Sequence, residues 1–250
     1  MKKIITIFLL LLLCNITVVP CEAKIHKGRT KKGVTYQYDT KNKTLTLSGK
    51  NVKGNWSKQQ RMGKKNPWDK WQDKAKKIVL KKGVETVTHA AFESFAKVKT
   101  VVFPKTIKKI GEYAFSDTQI KKLALPNSVT EIGWGAFAAD MIRGSIKEVK
   151  LSSKLRKIHA LAFSDQSSLT KIIIPQNVTS IGYAAFENCS ELRTVIIKSK
   201  KIKEIGERAF SGLAANAVIY IPKDKEKEYR RMLWGFDGVN GLKIEVFPSK

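Results

Sequence analysis

Chemistry at a protein site needs groups that move protons, attack a substrate or hold a metal, so histidines, cysteines and paired carboxylates come first. The 250-residue chain has three histidines, His26, His89 and His159, and three cysteines, Cys14, Cys21 and Cys189. No His-x-x-x-His or Cys-x-x-Cys spacing occurs among them, so the sequence offers no zinc ligand set. No carboxylate pair recurs at a telling position. The glycines follow a long period rather than gathering in a phosphate-cradling loop. The expectation is a chain that is not an enzyme, with no catalytic residues, no metal and no cofactor. Cys189 occupies a slot filled elsewhere by Phe95, Gln166 and Leu213, which suits a small core residue better than a nucleophile. His159 replaces a recurring glycine and reads as a turn residue.

Repetition explains these slots. Ala-Phe recurs, with its phenylalanine at Phe92, Phe115, Phe137, Phe163, Phe186 and Phe210, at intervals of 23, 22, 26, 23 and 24 residues. Glycine stands four residues before the phenylalanine at Gly111, Gly133, Gly182 and Gly206, with Thr88 and His159 in the other two copies. An apolar pair three residues apart precedes it, as in Val129 and Ile132 or Val178 and Ile181. A period in the low twenties marks a solenoid in which each unit is one turn of the coil. The glycine then reads as a close backbone approach without room for a Cβ, or as a position of positive φ.

Between one phenylalanine and the next unit runs apolar-x-x-apolar-x-apolar, as in Leu169, Ile172 and Ile174 or Leu192, Val195 and Ile197. Its period-two tail predicts a short strand, and stacked turns would pair these strands into one parallel sheet. The residue between the last two inward positions must then face outward. In order these are Val79, Val102, Ala124, Lys150, Ile173, Ile196 and Tyr220, a mostly apolar stripe. Two residues earlier lie Lys77, Thr100, Lys122, Glu148, Lys171, Thr194 and Val218. An exposed apolar stripe marks a contact surface, although Val and Ile also suit strands for their own sake. The candidate ligand-binding residues are therefore Val102, Lys122, Lys150, Lys171, Ile173, Ile196 and Tyr220.

Terminal turns expose a cut core and need caps. Near the start, Val34, Tyr36 and Tyr38 alternate, Thr40 to Lys43 is polar, and Leu45 and Leu47 alternate again, which predicts a hairpin. Asn66-Pro67 reads as a helix N-cap with proline at the first helical position, placing Trp68, Trp71 and Ala75 on one face. Ile78 to Leu80 reads as the first strand of the sheet. At the far end, Lys223 to Trp234 reads as a helix with Tyr229, Met232 and Leu233 inward, followed by a strand from Leu242 to Phe247.

The unit Ile-Pro-x-x-Val-x-x-Ile-Gly-x-x-Ala-Phe, whole at Ile174 to Phe186 and completed by Asn188-Cys189-Ser190-Glu191-Leu192, resembles the BspA-type leucine-rich repeat of bacterial surface and secreted proteins. Leu45 to Gly49, Asn66-Pro67-Trp68 and Lys82-Gly83-Val84 resemble that family's usual opening. The resemblance covers roughly Val34 to Lys250 and implies a leucine-rich-repeat solenoid of six repeats. It also implies adhesion, matrix-protein binding or contact between cells, and it transfers no catalytic residue. The expected division is 1–23 leader, 24–77 N-terminal hairpin and helix cap, 78–222 solenoid, and 223–250 C-terminal cap.

The first residues read as an address. Lys2 and Lys3 precede an apolar run, Ile4 to Leu13, and Cys21-Glu22-Ala23 offers a cut after Ala23, the layout of a secretory signal peptide. The rival is a lipoprotein acylated at Cys14 or Cys21, but Leu13 and Pro20 are not the small residues expected before such a cysteine. The apolar run is short for a membrane span, and no second one follows. Secretion, or loose association with the cell surface, is expected. Cys189 alone survives cleavage, so no internal disulfide stabilises the fold. The net charge of +27 becomes +26 once Lys2, Lys3 and Glu22 are removed. Two binding readings follow. In one, the sheet face recognises an extracellular protein or glycan. In the other, lysine clusters such as Lys31-Lys32, Lys64-Lys65 and Lys198 to Lys203 hold the protein on anionic wall polymers or host glycans. A solvated, solubilising surface would have the same composition. Specific nucleic-acid binding is not expected, and the sequence does not give the oligomeric state.

Overall fold

The computed structural model describes residues 23–54, 66–235 and 241–247. The leader as far as Glu22 and the pair Lys64-Lys65 lie outside the described residues. The chain opens with an antiparallel meander of β1 (Ile25–Arg29), β2 (Thr35–Asp39) and β3 (Thr44–Ser48). The β2–β3 hairpin is the one the alternation predicts. β1 is not legible in sequence, because Ile-His-Lys-Gly-Arg carries no apolar alternation.

Each turn of the coil then contributes two short strands. β4 (Asn51–Lys53) completes the first turn. It is followed by β5 (Lys77–Leu80) with β6 (Thr86–Thr88), and β7 (Thr100–Val102) with β8 (Lys109–Ile110). Next come β9 (Lys122–Ala124) with β10 (Glu131–Ile132), and β11 (Glu148–Lys150) with β12 (Lys157–Ile158). Then follow β13 (Lys171–Ile174) with β14 (Ser180–Ile181), and β15 (Thr194–Ile197) with β16 (Glu204–Ile205). β17 (Val218–Ile221) leads into the C-terminal cap.

Two features depart from the sequence reading. β3 already pairs in parallel with β5, so stacking begins one turn before Ile78–Leu80, the strand expected to open the sheet. The apolar pair three residues apart builds a sheet of its own. β4, β6, β8, β10, β12, β14 and β16 form a continuous seven-stranded parallel ladder, giving about seven turns. The expected sheet, by contrast, has three ladder segments, β1-β2-β3-β5-β7, β9-β11, and β13-β15-β17 ending in a final strand β18 (Lys243–Val246).

Between the two sheets the phenylalanines stack. Phe92, Phe115, Phe137, Phe163, Phe186 and Phe210 lie 5.2, 5.7, 5.4, 5.4 and 5.6 Å apart, centroid to centroid, within 20° of parallel. All six are buried. Hydrogen bonds tie their backbones turn to turn, as in Phe163 N to Ala185 O at 2.8 Å. Ordering some 23 residues costs about 1–2 kcal/mol each, which one turn cannot recover alone; stacked turns share their apolar faces.

The glycine column settles one of two alternatives. A Cβ on Gly133 would lie 2.8 Å from Gly111 Cα, and at Gly206 it would meet the backbone of Gly182 and Tyr183. Close approach is therefore the reason for glycine. The positive φ falls two residues later, at Ala90, Tyr113, Gly135, Leu161, Ala184 and Arg208, just before each Ala-Phe. Five of those six residues carry a Cβ, and at Ala90, Tyr113, Leu161 and Ala184 a backbone N–H bonded to the next turn holds the residue in a region that favours glycine.

At the N-terminal end the expected helix is a single 3-10 turn, Asp69–Trp71. Its cap is reversed. The Asp69 carboxylate accepts from Asn66 N at 2.6 Å and from Asn66 Nδ2 at 3.1 Å. Trp68, Trp71 and Ala75 are buried as expected, and Trp68 closes the phenylalanine column against Phe92 at 6.3 Å. At the other end a 3-10 turn (Lys223–Lys225) precedes α1 (Glu226–Met232), shorter than the 223–234 span expected. Tyr229 and Leu233 are buried. The Tyr229 hydroxyl donates to Ser199 O at 2.9 Å and accepts from Ile202 N at 3.1 Å. Among the described residues no helix is long and apolar enough to cross a membrane.

Candidate binding face

Ladder register places the outward stripe. Ile173 pairs with Ile196, and Ile196 with Tyr220, on three adjacent rungs. Val102 pairs with Val79 in the first segment, and Lys150 with Ala124 in the second. One row over, Lys171 pairs with Thr194, and Lys122 with Glu148, whose carboxylate lies 2.9 Å from the Lys122 ammonium. Both partners of that ion pair are well exposed, so it adds little stability. The seven candidate residues thus share one face but fall in three groups, set by the breaks between β7 and β9 and between β11 and β13.

The apolar members differ in exposure. Val102 is 42% exposed and Ile173 39%, while Ile196 and Tyr220 are half-buried. A groove of about 560 Å³ opens where β11 and β13 part, lined by Lys150, Ile173, Val149, Pro175, Asn127 and Lys198. It has apolar walls and ammonium groups from two different turns, a composition that suits ligand pockets. Lys150 and Ile173 are legible in the repeat but the groove is not, since a missing rung of pairing leaves no trace there.

The remaining reactive groups are structural. Cys189 is fully buried, its Sγ 3.3 Å from Phe163 O, and burial pushes its thiol pKa well above the ordinary range. His159 stands in the glycine column, with Nε2 2.9 Å from Glu131 Oε1. Burial works to raise the Glu131 pKa, but Lys109 at 2.9 Å and His159 outweigh it and hold the carboxylate below its usual value. On the turn edge, desolvation by neighbouring groups and then repulsion from Asp117 and Asp165 raise the pKa of the solvent-exposed Asp140. Among the described residues no group of His, Cys, Asp or Glu is arranged to hold a metal ion. The turn edge also exposes Trp134 and Tyr183, 36% and 43%, which the period did not single out.

Parallel strands in register, an apolar column and close-packed glycines define a leucine-rich-repeat solenoid. The description "BspA type leucine rich repeat region" matches residues 70–143 and 141–234, in six copies. The chain belongs to that family. A crystal structure of a leucine-rich repeat protein from T. pallidum is 16% identical, covering 83% of this chain and 92% of its own, with a TM-score of 0.51. One from Eubacterium ventriosum is 18% identical, covering 89% of this chain and 68% of its own, with a TM-score of 0.43. At these identities the T. pallidum likeness concerns the fold alone. Among curated proteins none matches the sequence.

Proposed function

We propose that the protein is an exported, non-catalytic recognition scaffold that holds an extracellular macromolecule, protein or glycan, against its outward sheet face. Export rests on the leader pattern of residues 1–23. The observation that carries the binding reading is the stripe itself, with Ile173 on the rim of a groove and next to Ile196 and Tyr220 on a rigid ladder. A soluble protein that presents β-branched side chains outward in register offers an extended partner an apolar row beside cationic groups.

The test is binding to an array of matrix proteins, mucins and glycans at low and high salt. A target retained at high salt and lost in an Ile173→Asp/Ile196→Asp variant that keeps its circular dichroism supports recognition through this face. Unchanged binding by that folded variant removes it.

A further inference from the structure

We propose that the outward face of the N-terminal meander is a separate site for an anionic polysaccharide, one whose sugars carry sulfate or carboxylate groups. The site lies beyond the apolar stripe and does not depend on it. Ladder register traces the connection. Val102 pairs with Val79, Val79 with Thr46, Thr46 with Gln37, and Gln37 with Lys27. The row that is apolar over the first repeats therefore becomes polar and then cationic in the cap. In the next row Ser48 pairs with Thr35 and Thr35 with Arg29. Lys81 follows directly after β5, its N–H on Leu47 O at 2.9 Å. A groove of about 510 Å³ is lined by Lys27, Arg29, Lys81, Gln37, Thr46 and Ser48 among others.

The inward residues of β1 fix this arrangement. The His26 ring lies 5.9 Å from the Trp71 ring, and Gly28 lies under Tyr36, where a Cβ would overlap the phenol. With those two turned to the core, Lys27 and Arg29 stand exposed. Among the described residues, none of Lys27, Arg29 and Lys81 forms an ion pair. The one carboxylate in the three strands, Asp39, is engaged elsewhere. It accepts from Lys41 N at 2.9 Å, Asn42 N at 3.1 Å and Asn42 Nδ2 at 2.7 Å.

Three uncompensated cations around one groove raise the local concentration of a multivalent anion. Gln37, Thr46 and Ser48 add groups that both donate and accept, as sugar hydroxyls require. Nucleic acid is the weaker fit. Binding of single strands relies on exposed rings for base stacking, whereas Tyr38 and Trp71 are buried against one another and Tyr36, which lines the groove, is half-buried with its ring held against Trp68 and Trp71.

The test is binding of heparin oligosaccharides to the full-length protein at fixed salt. It compares wild type, a Lys27→Gln/Arg29→Gln/Lys81→Gln variant and a Lys154→Gln/Lys223→Gln/Lys227→Gln variant of equal net charge, whose lysines are exposed elsewhere. Thermal melts establish that all three fold. Loss of one charge-assisted contact weakens binding on the order of tenfold, so the first variant is expected to bind at least about 30-fold more weakly. The second should change by less than about threefold. Three results overturn the proposal: no heparin binding by wild type, an equal loss in both variants, or duplex DNA of matched charge binding as tightly and responding to the same substitutions.

Discussion

The stacked phenylalanines should be energetically coupled along the coil, and only to their neighbours. Phe163 is fully buried and lies 5.4 Å from Phe137 and 5.4 Å from Phe186, at interplanar angles of 13° and 2°. Burying a phenyl group contributes about 1.5–3 kcal/mol. Each ring–ring contact adds about 0.5–1.5 kcal/mol. Phe163→Ala should therefore cost about 3–5 kcal/mol, the usual range for a buried phenylalanine. Phe163→Leu keeps most of the apolar burial and loses both ring contacts, so about 1–3 kcal/mol is expected. A double-mutant cycle isolates the stacking. Phe163→Leu and Phe186→Leu should be non-additive by about 0.5–1.5 kcal/mol, because the second change finds the ring contact already gone. Phe115→Leu and Phe186→Leu, with Phe137 and Phe163 between them, should add to within about 0.5 kcal/mol. The assay is urea denaturation followed by far-UV circular dichroism and tryptophan fluorescence, with unchanged slope as the condition for comparison. Additivity in the adjacent pair, or equal coupling in the distant one, would refute the stacking argument and leave the phenylalanines as simple fillers of volume.

Gly182→Ala should destabilise the coil by more than the propensity difference alone, because its Cβ would collide with the backbone of His159 and Ala160 on the preceding turn; denaturant midpoints of this variant and of Gly235→Ala, which has nothing within 4 Å but a φ of +94°, separate collision from conformational strain. Cys189 should resist alkylation in the native protein and react fully in denaturant, since burial encloses the sulfur and disfavours its thiolate; rapid labelling of folded protein, read by mass spectrometry, would contradict the packing described. Asp140→Asn should raise stability near pH 7 and lose that advantage in acid. The folded Asp140 pKa lies above the unfolded value, so the carboxylate costs nothing below the unfolded value and its penalty grows as pH rises through the folded one; melting temperatures from pH 3 to pH 7 show whether the difference grows in that direction.

Periodicity determined much of this protein. The Ala-Phe interval set the number of repeats, the apolar tail set which residues of each strand face in, and the step of two set the outward stripe at Val102, Ile173 and Ile196. Those are local rules, since a side chain's direction in a strand follows from its parity. Cys189 was legible as a core residue for the same reason. The rest needed three dimensions. The breaks after β7 and β11, and the groove of about 560 Å³ beside Ile173, arise from how one turn sits on the next, and no residue type marks a pairing that is missing. That Gly133 lacks room for a Cβ against the Gly111 backbone, and Gly135 against the Tyr113 ring, depends on what the neighbouring turn places against each. β1 is the plainest case: Ile-His-Lys-Gly-Arg becomes a strand because β2 offers it an edge and Tyr36 leaves room only for Gly28, so that tertiary contact, and not propensity, turns Lys27 and Arg29 outward.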